Sequence, residues 1–375
     1  MKKIAIVGAK RTPMGKFKGS YKELSSATLA ANAIQGALTQ ANVSGEMVDK
    51  VILGSVLPAG EGQNVARQAA IQAGIPVEVP AMTLNQVCGS GMEAIELGRQ
   101  MIELGKASCV VVGGVENMSR VPFLKDRYTD DITNGMDDGL VDAFSHEAMG
   151  VTAEKVADRY CVTRSMQDDW AFRSQKRATA AMESGRFDEE CVTTLPIQRD
   201  ECIRTTTTLE KMSTLPTVFK ENGTVTAGNS STLSDGAAAI ILMDEALAQQ
   251  ENIPVMATLG RFVEIGMDPE YMGFAPYYAL QKLSYETEHA LDQYETIEIN
   301  EAFAAQTVAV VKELGLDDKR VNPLGGAIAL GHPLGASGAR IMITLLYHMM
   351  REGQHLGAAA LCIGGGMGMA FELHV

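Results

Sequence analysis

Aromatic side chains are scarce in this chain, at 5% of residues with one tryptophan, so its core is not built around large rings. Alanine and methionine stand in for them. Together with 37 glycines they predict helices and strands packed at close backbone approach. Basic charge is short too: 32 Lys and Arg face 46 Asp and Glu, a formal net charge of −14. That balance argues against nucleic-acid or anionic-membrane partners, while a local basic patch can still meet a small anion. The six cysteines include no CxxC and no tight Cys/His cluster. This excludes a disulfide framework and a zinc site, and predicts no bound metal and a reducing, cytoplasmic setting. No apolar run approaches the roughly 20 residues of a membrane span. Met1-Lys2-Lys3 imitates a signal peptide, but the short apolar run at 4–9 stops at Lys10-Arg11, so no such signal is expected.

What remains is a globular chain of 375 residues, 46% hydrophobic and 21% charged, long enough for two or three domains. Apolar runs at 3–8, 48–56, 81–87 and 108–113 read as strands. Periodic segments at 27–41, 64–73 and 91–104 read as helices, the last stopped by Gly105. This alternation predicts a parallel or mixed sheet covered on both faces. Residues 120–145 carry six aspartates, among them Asp130, Asp131, Asp137, Asp138 and Asp142, and two glycines without a clean period, which reads as an irregular insertion, either a lid or an oligomerisation arm. Helical patterns return at 152–160 and 165–183, where Ser165-Met166-Gln167-Asp168 reads as a capping box. From about Met256 the α/β alternation resumes.

The stretch Asn85-Gln86-Val87-Cys88-Gly89-Ser90-Gly91 places one cysteine just before a helix N-terminus. Unpaired N–H groups and the helix dipole favour an anion there, which predicts a lowered thiol pKa and a nucleophile. Taken alone, a small buried cysteine is the ordinary reading. An internal repeat changes the balance. Gly89-Ser90-Gly91, a helix and then Cys109–Gly114 recur as Gly335-Ala336-Ser337-Gly338, a helix and then Leu361–Gly366. Two related halves can face each other and share a crevice. Three further stretches put a polar group where a strand gives way to a loop: Asn300-Glu301-Ala302-Phe303-Ala304, Gly331-His332-Pro333-Leu334-Gly335 and Cys362-Ile363-Gly364-Gly365-Gly366. Gly89-x-Gly91-x-x-Ala94 also matches a relaxed dinucleotide fingerprint, with Glu116 near the ribose-binding position. That reading leaves His332 and Cys362 unexplained and ranks below thiol catalysis.

These four stretches closely resemble the signatures of the thiolase family. So do Arg11-Thr12-Pro13, Gly113-Gly114-Val115-Glu116-Asn117-Met118-Ser119 and Thr226-Ala227-Gly228-Asn229. The matches are collinear over the whole chain and look most like the biosynthetic branch, the acetyl-CoA acetyltransferases. The resemblance implies two duplicated α/β halves with five-stranded mixed sheets in αβαβα layers, plus an inserted loop domain. The boundaries expected are 1–117 with 234–255, 118–233, and 256–375. It implies condensation of two acetyl-CoA molecules to acetoacetyl-CoA and CoA. Cys88 would be the acylated nucleophile, His332 its activator and an oxyanion donor, and Cys362 the general acid/base. Asn300 would hold an oxyanion water, and the Gly364 backbone would form part of an oxyanion hole.

For CoA, the resemblance implies contacts from Arg204, Ser231, Ala302 and Phe303, with Met149 and Met272 at the acyl end. Arg204 stands in a basic stretch with Arg199, Lys211 and Lys220. No metal or cofactor beyond the CoA thioester is implied, and a homotetramer is. One departure stands out: short-chain members often carry His-Met-Gly where this chain has Ala148-Met149-Gly150. A degradative 3-ketoacyl-CoA thiolase is therefore the near alternative, and a catalytically silent CoA- or nucleotide-binding protein the distant one.

Overall fold

A computed structural model describes residues 2–375. The first half lays down β1 (Ile4–Arg11), β2 (Gly15–Lys16), α1 (Ser26–Ala41), β3 (Lys50–Gly54), α2 (Val65–Gln72), β4 (Ala81–Leu84), α3 (Ser90–Glu103) and β5 (Cys109–Asn117). An excursion follows: the hairpin β6 (Phe123–Lys125) and β7 (Ile132–Asn134), then α4 (Asp137–Leu140), α5 (Met149–Arg159), α6 (Arg164–Glu183) and α7 (Leu209–Ser213). The chain returns through β8 (Ser234–Asp244) and α8 (Glu245–Gln250). The second half holds β9 (Ala257–Gly266), α9 (Ala275–Thr287), β10 (Thr296–Ile299), α10 (Ala304–Leu314), α11 (Ala327–Leu330), α12 (Leu334–Glu352), β11 (Leu356–Ile363) and β12 (Met367–His374).

Strand order exposes the duplication. The first half reads β1-β8-β5-β3-β4 and the second β9-β12-β11-β10, with antiparallel and parallel pairings in matching places. The fifth place of the second sheet is not a regular strand. Val321 makes only a single parallel bridge to Ile297, so the expected five full strands are four and a bridge. The two sheets also join edge to edge, through Ala5 with Thr258 and Ile6 with Ala257.

Each strand divides its side chains between two cores, as a period of two requires. Ile4, Ile6, Val110, Val112, Ile240 and Leu242 face a central core shared with Leu361, Ile363, Met369 and Phe371 of the other half. Ala5, Val7, Cys109, Val111 and Ile241 face an outer core with α1 and α2, and Ala358, Ala360 and Ala370 face one with α9 and α10. Burial on both faces explains why the strands read as unbroken apolar runs. The central layer is α3 and α12, the two repeat-related helices. A Cβ on Gly91 would lie 2.8 Å from the Gly335 carbonyl oxygen and 3.0 Å from the Ala339 nitrogen, so small residues set how closely the helices approach.

Two local expectations are corrected. The cap of α6 is Thr163, whose side chain accepts from the Met166 N–H, and Ser165 lies inside the helix. Cys161 at φ 53° turns the chain into that cap two residues earlier than the capping-box pattern places it. The aspartate-rich insertion is an ordered hairpin and short helix, with Phe123, Tyr128 and Ile132 largely exposed.

Candidate active site

Cys88 sits between β4 and α3 on a tightly stapled turn. The Asn85 side chain accepts from the Val87 N–H at 2.9 Å, and Ser90 Oγ both accepts from the Gln86 N–H at 2.8 Å and donates to the Val87 carbonyl at 2.7 Å. These bonds hold Val87 at φ 47°, a conformation a β-branched residue rarely adopts and one typical of over-determined functional turns. Where the halves meet, the turn abuts the end of β11: a Cβ on Gly89 would lie 2.5 Å from Ile363 Cδ1. The Gly364 N–H is directed at the Cys88 sulfur, and the charges of Cys88 and Cys362 would act on each other directly.

His332 enters from the loop between α11 and α12, just ahead of α12, whose Gly335 lies against the first turn of α3. Its Nδ1 is 2.5 Å from Ser337 Oγ, and that hydroxyl donates its one proton to the Pro333 carbonyl at 2.9 Å. Ser337 must therefore accept from Nδ1–H, which leaves Nε2 as the bare nitrogen. Asn300 Nδ2 lies 3.3 Å from it. Burial, reinforced by the Arg340 charge, lowers the imidazole pKa to about 3, so the ring is neutral. Asn300 continues β10 through a bond from its N–H to the Ala360 carbonyl, and its own Oδ1 is buried without a protein partner. Glu301 anchors this loop by accepting from Trp170 Nε1, Ser174 Oγ and Asn322 Nδ2.

One expectation about Cys88 is overturned. Burial pushes its thiol up to about 12, outweighing the pull of the Gly364 and Cys88 N–H groups. Cys362 is pushed well up by burial, and then by Cys88. A helix end is worth at most about 1–2 kcal/mol to a nearby charge, whereas burying a thiolate costs several. The resting thiol is therefore protonated, and its activation calls for a base more than for the dipole.

A cavity of about 580 Å³ leads away from this cluster. Of the residues expected to contact CoA, Arg204, Ser231, Phe303 and Met149 line it; Ala302 and Met272 do not. Ala302 acts through its backbone, accepting from the Ser231 N–H at 2.9 Å. Met272, with Ala302 and Met149, packs around Cys362 instead. Phe219 and Phe303 meet edge to face at 6.1 Å, and Gly150 leaves room for the Phe219 ring. Ala148 lines the cavity, while His146 is exposed and lies outside that lining. The basic stretch is divided: Lys220 is paired with Asp158 at 2.8 Å, and Lys211 shares a second cavity with Arg204.

Glu116 has no vacancy for a ribose. It accepts from the N–H groups of Val56, Leu57 and Gly335 at 2.9–3.0 Å, tying β3 to the first turn of α12. Sequence reasoning missed this role and that of Ser337, although both residues stood inside motifs already singled out. Their signal was position, and only the fold shows what each position faces.

The same arrangement has relatives. The description "Thiolase, N-terminal domain" matches residues 4–246 and "Thiolase, C-terminal domain" residues 253–375. An acetyl-CoA acetyltransferase of Pseudomonas aeruginosa is 46% identical over 390 residues, covering 100% of this chain and 99% of that protein. The crystal structure of the Bacillus anthracis acetyl-CoA acetyltransferase superposes with a TM-score of 0.97 at 38% identity, covering 100% of this chain and 99% of that one. Human mitochondrial 3-ketoacyl-CoA thiolase in complex with CoA superposes at 0.96 and 37% identity, covering 100% and 98%. Family models over both halves, relatives matched end to end and a duplicated architecture agree: this chain belongs to the thiolase family.

Proposed function

We propose that this chain is an acetyl-CoA C-acetyltransferase, joining two acetyl-CoA molecules into acetoacetyl-CoA with release of CoA. The observation that carries the reading is the locked tautomer of His332, whose bare Nε2 lies 3.3 Å from Asn300 Nδ2 where β10 ends beside β11, the strand that carries the buried Cys362. His332 takes the Cys88 proton as the sulfur attacks the thioester carbonyl. The acyl–sulfur bond to CoA breaks, and CoA leaves with the proton that His332 had taken. His332 next accepts the Cys362 proton, and the Cys362 thiolate takes a methyl proton from the second acetyl-CoA. The carbanion attacks acetyl-Cys88, the new carbon–carbon bond forms, and the Cys88 sulfur leaves and takes a proton from Cys362, to which His332 returns its own.

The Gly364 N–H, directed at the Cys88 sulfur, donates to the acyl oxygen, and a Cβ on Gly364 would lie 3.3 Å from Val87 Cγ1. The unpartnered Asn300 Oδ1 suits a water whose other proton meets the enolate oxygen. Only acyl groups and protons move, so the reaction calls for no metal or redox carrier. Arg204, Ser231, Phe303 and Met149 hold the CoA arm.

The working form we propose is a cytoplasmic homotetramer. The exposed apolar hairpin of β6 and β7 supports the assembly, and six free cysteines support the reducing compartment. Acetoacetyl-CoA is a precursor for mevalonate-type, butyrate-type or storage-polymer synthesis.

Intact-mass measurement after incubation with acetyl-CoA tests the reading. A single acetyl group on Cys88, absent in Cys88→Ala, is expected. Condensation by Cys88→Ala would overturn the covalent route, and failure to trap or condense any acyl group would leave a CoA-binding protein. The second reading, 3-ketoacyl-CoA thiolysis on longer chains, is favoured by Ala148 and by the apolar cavity wall of Leu140, Val141, Val218 and Leu233.

A further inference from the structure

Between β9 and α9 the 3₁₀ turn Pro269–Phe274 leads straight into Ala275, the first residue of α9. Cys362 is fully buried, enclosed by Met272, Ala275 and Ala302. Two of those three residues flank Phe274. A 3₁₀ run of six residues is long for such weakly bonded structure, and this one is broken at Tyr271, at φ −118°. Tertiary contacts must therefore hold it. Its approach is tied to the glycine loop beside Cys88, where the Met267 N–H donates to the Gly366 carbonyl at 2.6 Å.

Its far end is held by aromatic rings, in a chain that has few of them. Phe274 stacks on Tyr160 at 3.8 Å between centroids and on Tyr277 at 4.7 Å, with interplanar angles of 17° and 19°. Two rings so close and so parallel to a third occupy its opposite faces, which makes Phe274 the middle of a three-ring pile. Tyr278 closes it edge-on, 5.8 Å from Phe274 and 5.1 Å from Tyr277. Tyr160 follows the last residue of α5, and Met149, the first residue of α5, packs beside Cys362. Along the same helix Lys155 pairs with Glu270 at 3.3 Å, and the Arg159 guanidinium lies 4.4 Å from the Tyr271 ring centroid. One helix of the insertion thus fastens Glu270, Tyr271 and Phe274 in turn.

We propose that Phe274 is a positioning residue for the general base: pinned between Tyr160 and Tyr277, it sets Met272 and Ala275 against Cys362 and keeps water from the sulfur. The inference rests on the proposed function, in which Cys362 takes the methyl proton. Methionine is unbranched and flexible, so a seal made from it is only as firm as the backbone that carries it. Water at the sulfur would solvate the thiolate and weaken it as a base, and it would reprotonate the carbanion before carbon–carbon bond formation. The pile of rings stands away from the reacting atoms and acts only through the turn it closes.

The test follows deuterium uptake into the methyl group of acetyl-CoA in heavy water. There the C–H bond breaks, the Cys362 sulfur takes the proton, solvent exchanges it, and a deuteron returns to the carbanion. Phe274→Leu and Tyr160→Leu keep apolar bulk but remove the stacked faces. Both should slow uptake about tenfold while acetylation of Cys88 keeps its rate, and Tyr160→Phe should match the unsubstituted enzyme. In the same two Leu variants iodoacetamide should alkylate Cys362, read by peptide mass, about tenfold faster, the scale on which lost ring pairs loosen a local contact. Unchanged uptake and alkylation in both Leu variants overturns the assignment. So does an equal loss of acetylation and uptake, or a Tyr160→Phe enzyme as impaired as Tyr160→Leu. Faster Cys362 alkylation in the Leu variants of an enzyme that never forms acetyl-Cys88 would overturn the proposed reaction and leave the seal standing.

Discussion

Ser337 decides which nitrogen of His332 is the base. Its Oγ lies 2.5 Å from His332 Nδ1 and 2.9 Å from the Pro333 carbonyl, and its one proton goes to the carbonyl. Ser337→Ala removes this orientation without touching a reacting atom. Loss of such a positioning contact costs roughly 10–100-fold in activity. We expect kcat to fall on that scale, the KM for acetyl-CoA to stay within about twofold, and Ser337→Thr to recover part of the loss. Steady-state kinetics of the three enzymes checks this; an unchanged kcat in Ser337→Ala would remove the tautomer lock from the mechanism.

The two cysteines should separate the two half-reactions. In Cys362→Ala, His332 and Cys88 remain, so acetyl-Cys88 should still form from acetyl-CoA. Condensation should fall by about 10²–10⁴-fold, since the base at the second methyl group is gone. Intact-mass detection of the acetyl-enzyme beside a product assay reads both steps on one sample. Loss of acylation in parallel with condensation would mean that Cys362 also serves the first step.

The raised thiol pKa has a sign that alkylation can read. With the Cys88 thiol at about 12, its thiolate fraction grows tenfold per pH unit through the neutral and alkaline range. Iodoacetamide modification of the free enzyme at Cys88 should therefore still be accelerating at pH 10. A plateau below pH 8 would restore the depressed thiol expected from the helix end. The same shift bears on stability. The folded thiol holds its proton while the unfolded one releases it near 8.5, so this contribution is full below that pH and declines as pH rises toward 12.

The contrast between Cys88 and Glu116 shows how far the sequence was legible. Cys88, His332, Asn300, Cys362 and Gly364 were recognisable because each stands in or beside a short motif of small and polar residues, and the glycine repeat pairs two of those motifs; the structure puts Cys362 at the end of β11 itself and His332 after the helix α11 rather than after a strand. The strands themselves could be read because burial on both faces leaves unbroken apolar runs. The sign of the Cys88 shift could not, because it depends on Ile363 and Met369 of the other half closing over the turn. Glu116 sat at a position a dinucleotide fingerprint would use, and only the fold reveals three backbone N–H groups already there. Thr163 in place of Ser165 as a helix cap has a similar origin, since residues preceding the helix set where it begins.

Glu116 therefore predicts a stability effect with a catalytic echo. Burial raises its carboxyl to about 7 against the pull of the three N–H groups. Glu116→Gln presents an amide where one of those donors expects an oxygen, which costs about 1–3 kcal/mol. Thermal denaturation should show a lower Tm. Because Gly335 lies three residues after His332, kcat should fall as well. An unaltered Tm would show that the three N–H groups find other acceptors.

Ala148 is where acyl preference should be decided. It lines the large cavity beside Met149, and Met149 packs against Cys362. An imidazole in its place would fill apolar space and add a polar edge. Each buried methylene of a longer acyl chain is worth about 0.8 kcal/mol, close to fourfold in kcat/KM. Ala148→His should leave thiolysis of acetoacetyl-CoA within about twofold and cut that of 3-ketohexanoyl-CoA by roughly tenfold or more. If the unsubstituted enzyme already rejects the six-carbon substrate, Ala148 does not open the pocket. If both substrates suffer equally, the residue contacts the shared pantetheine arm, and chain length is set by Met149 and Met272 around Cys362.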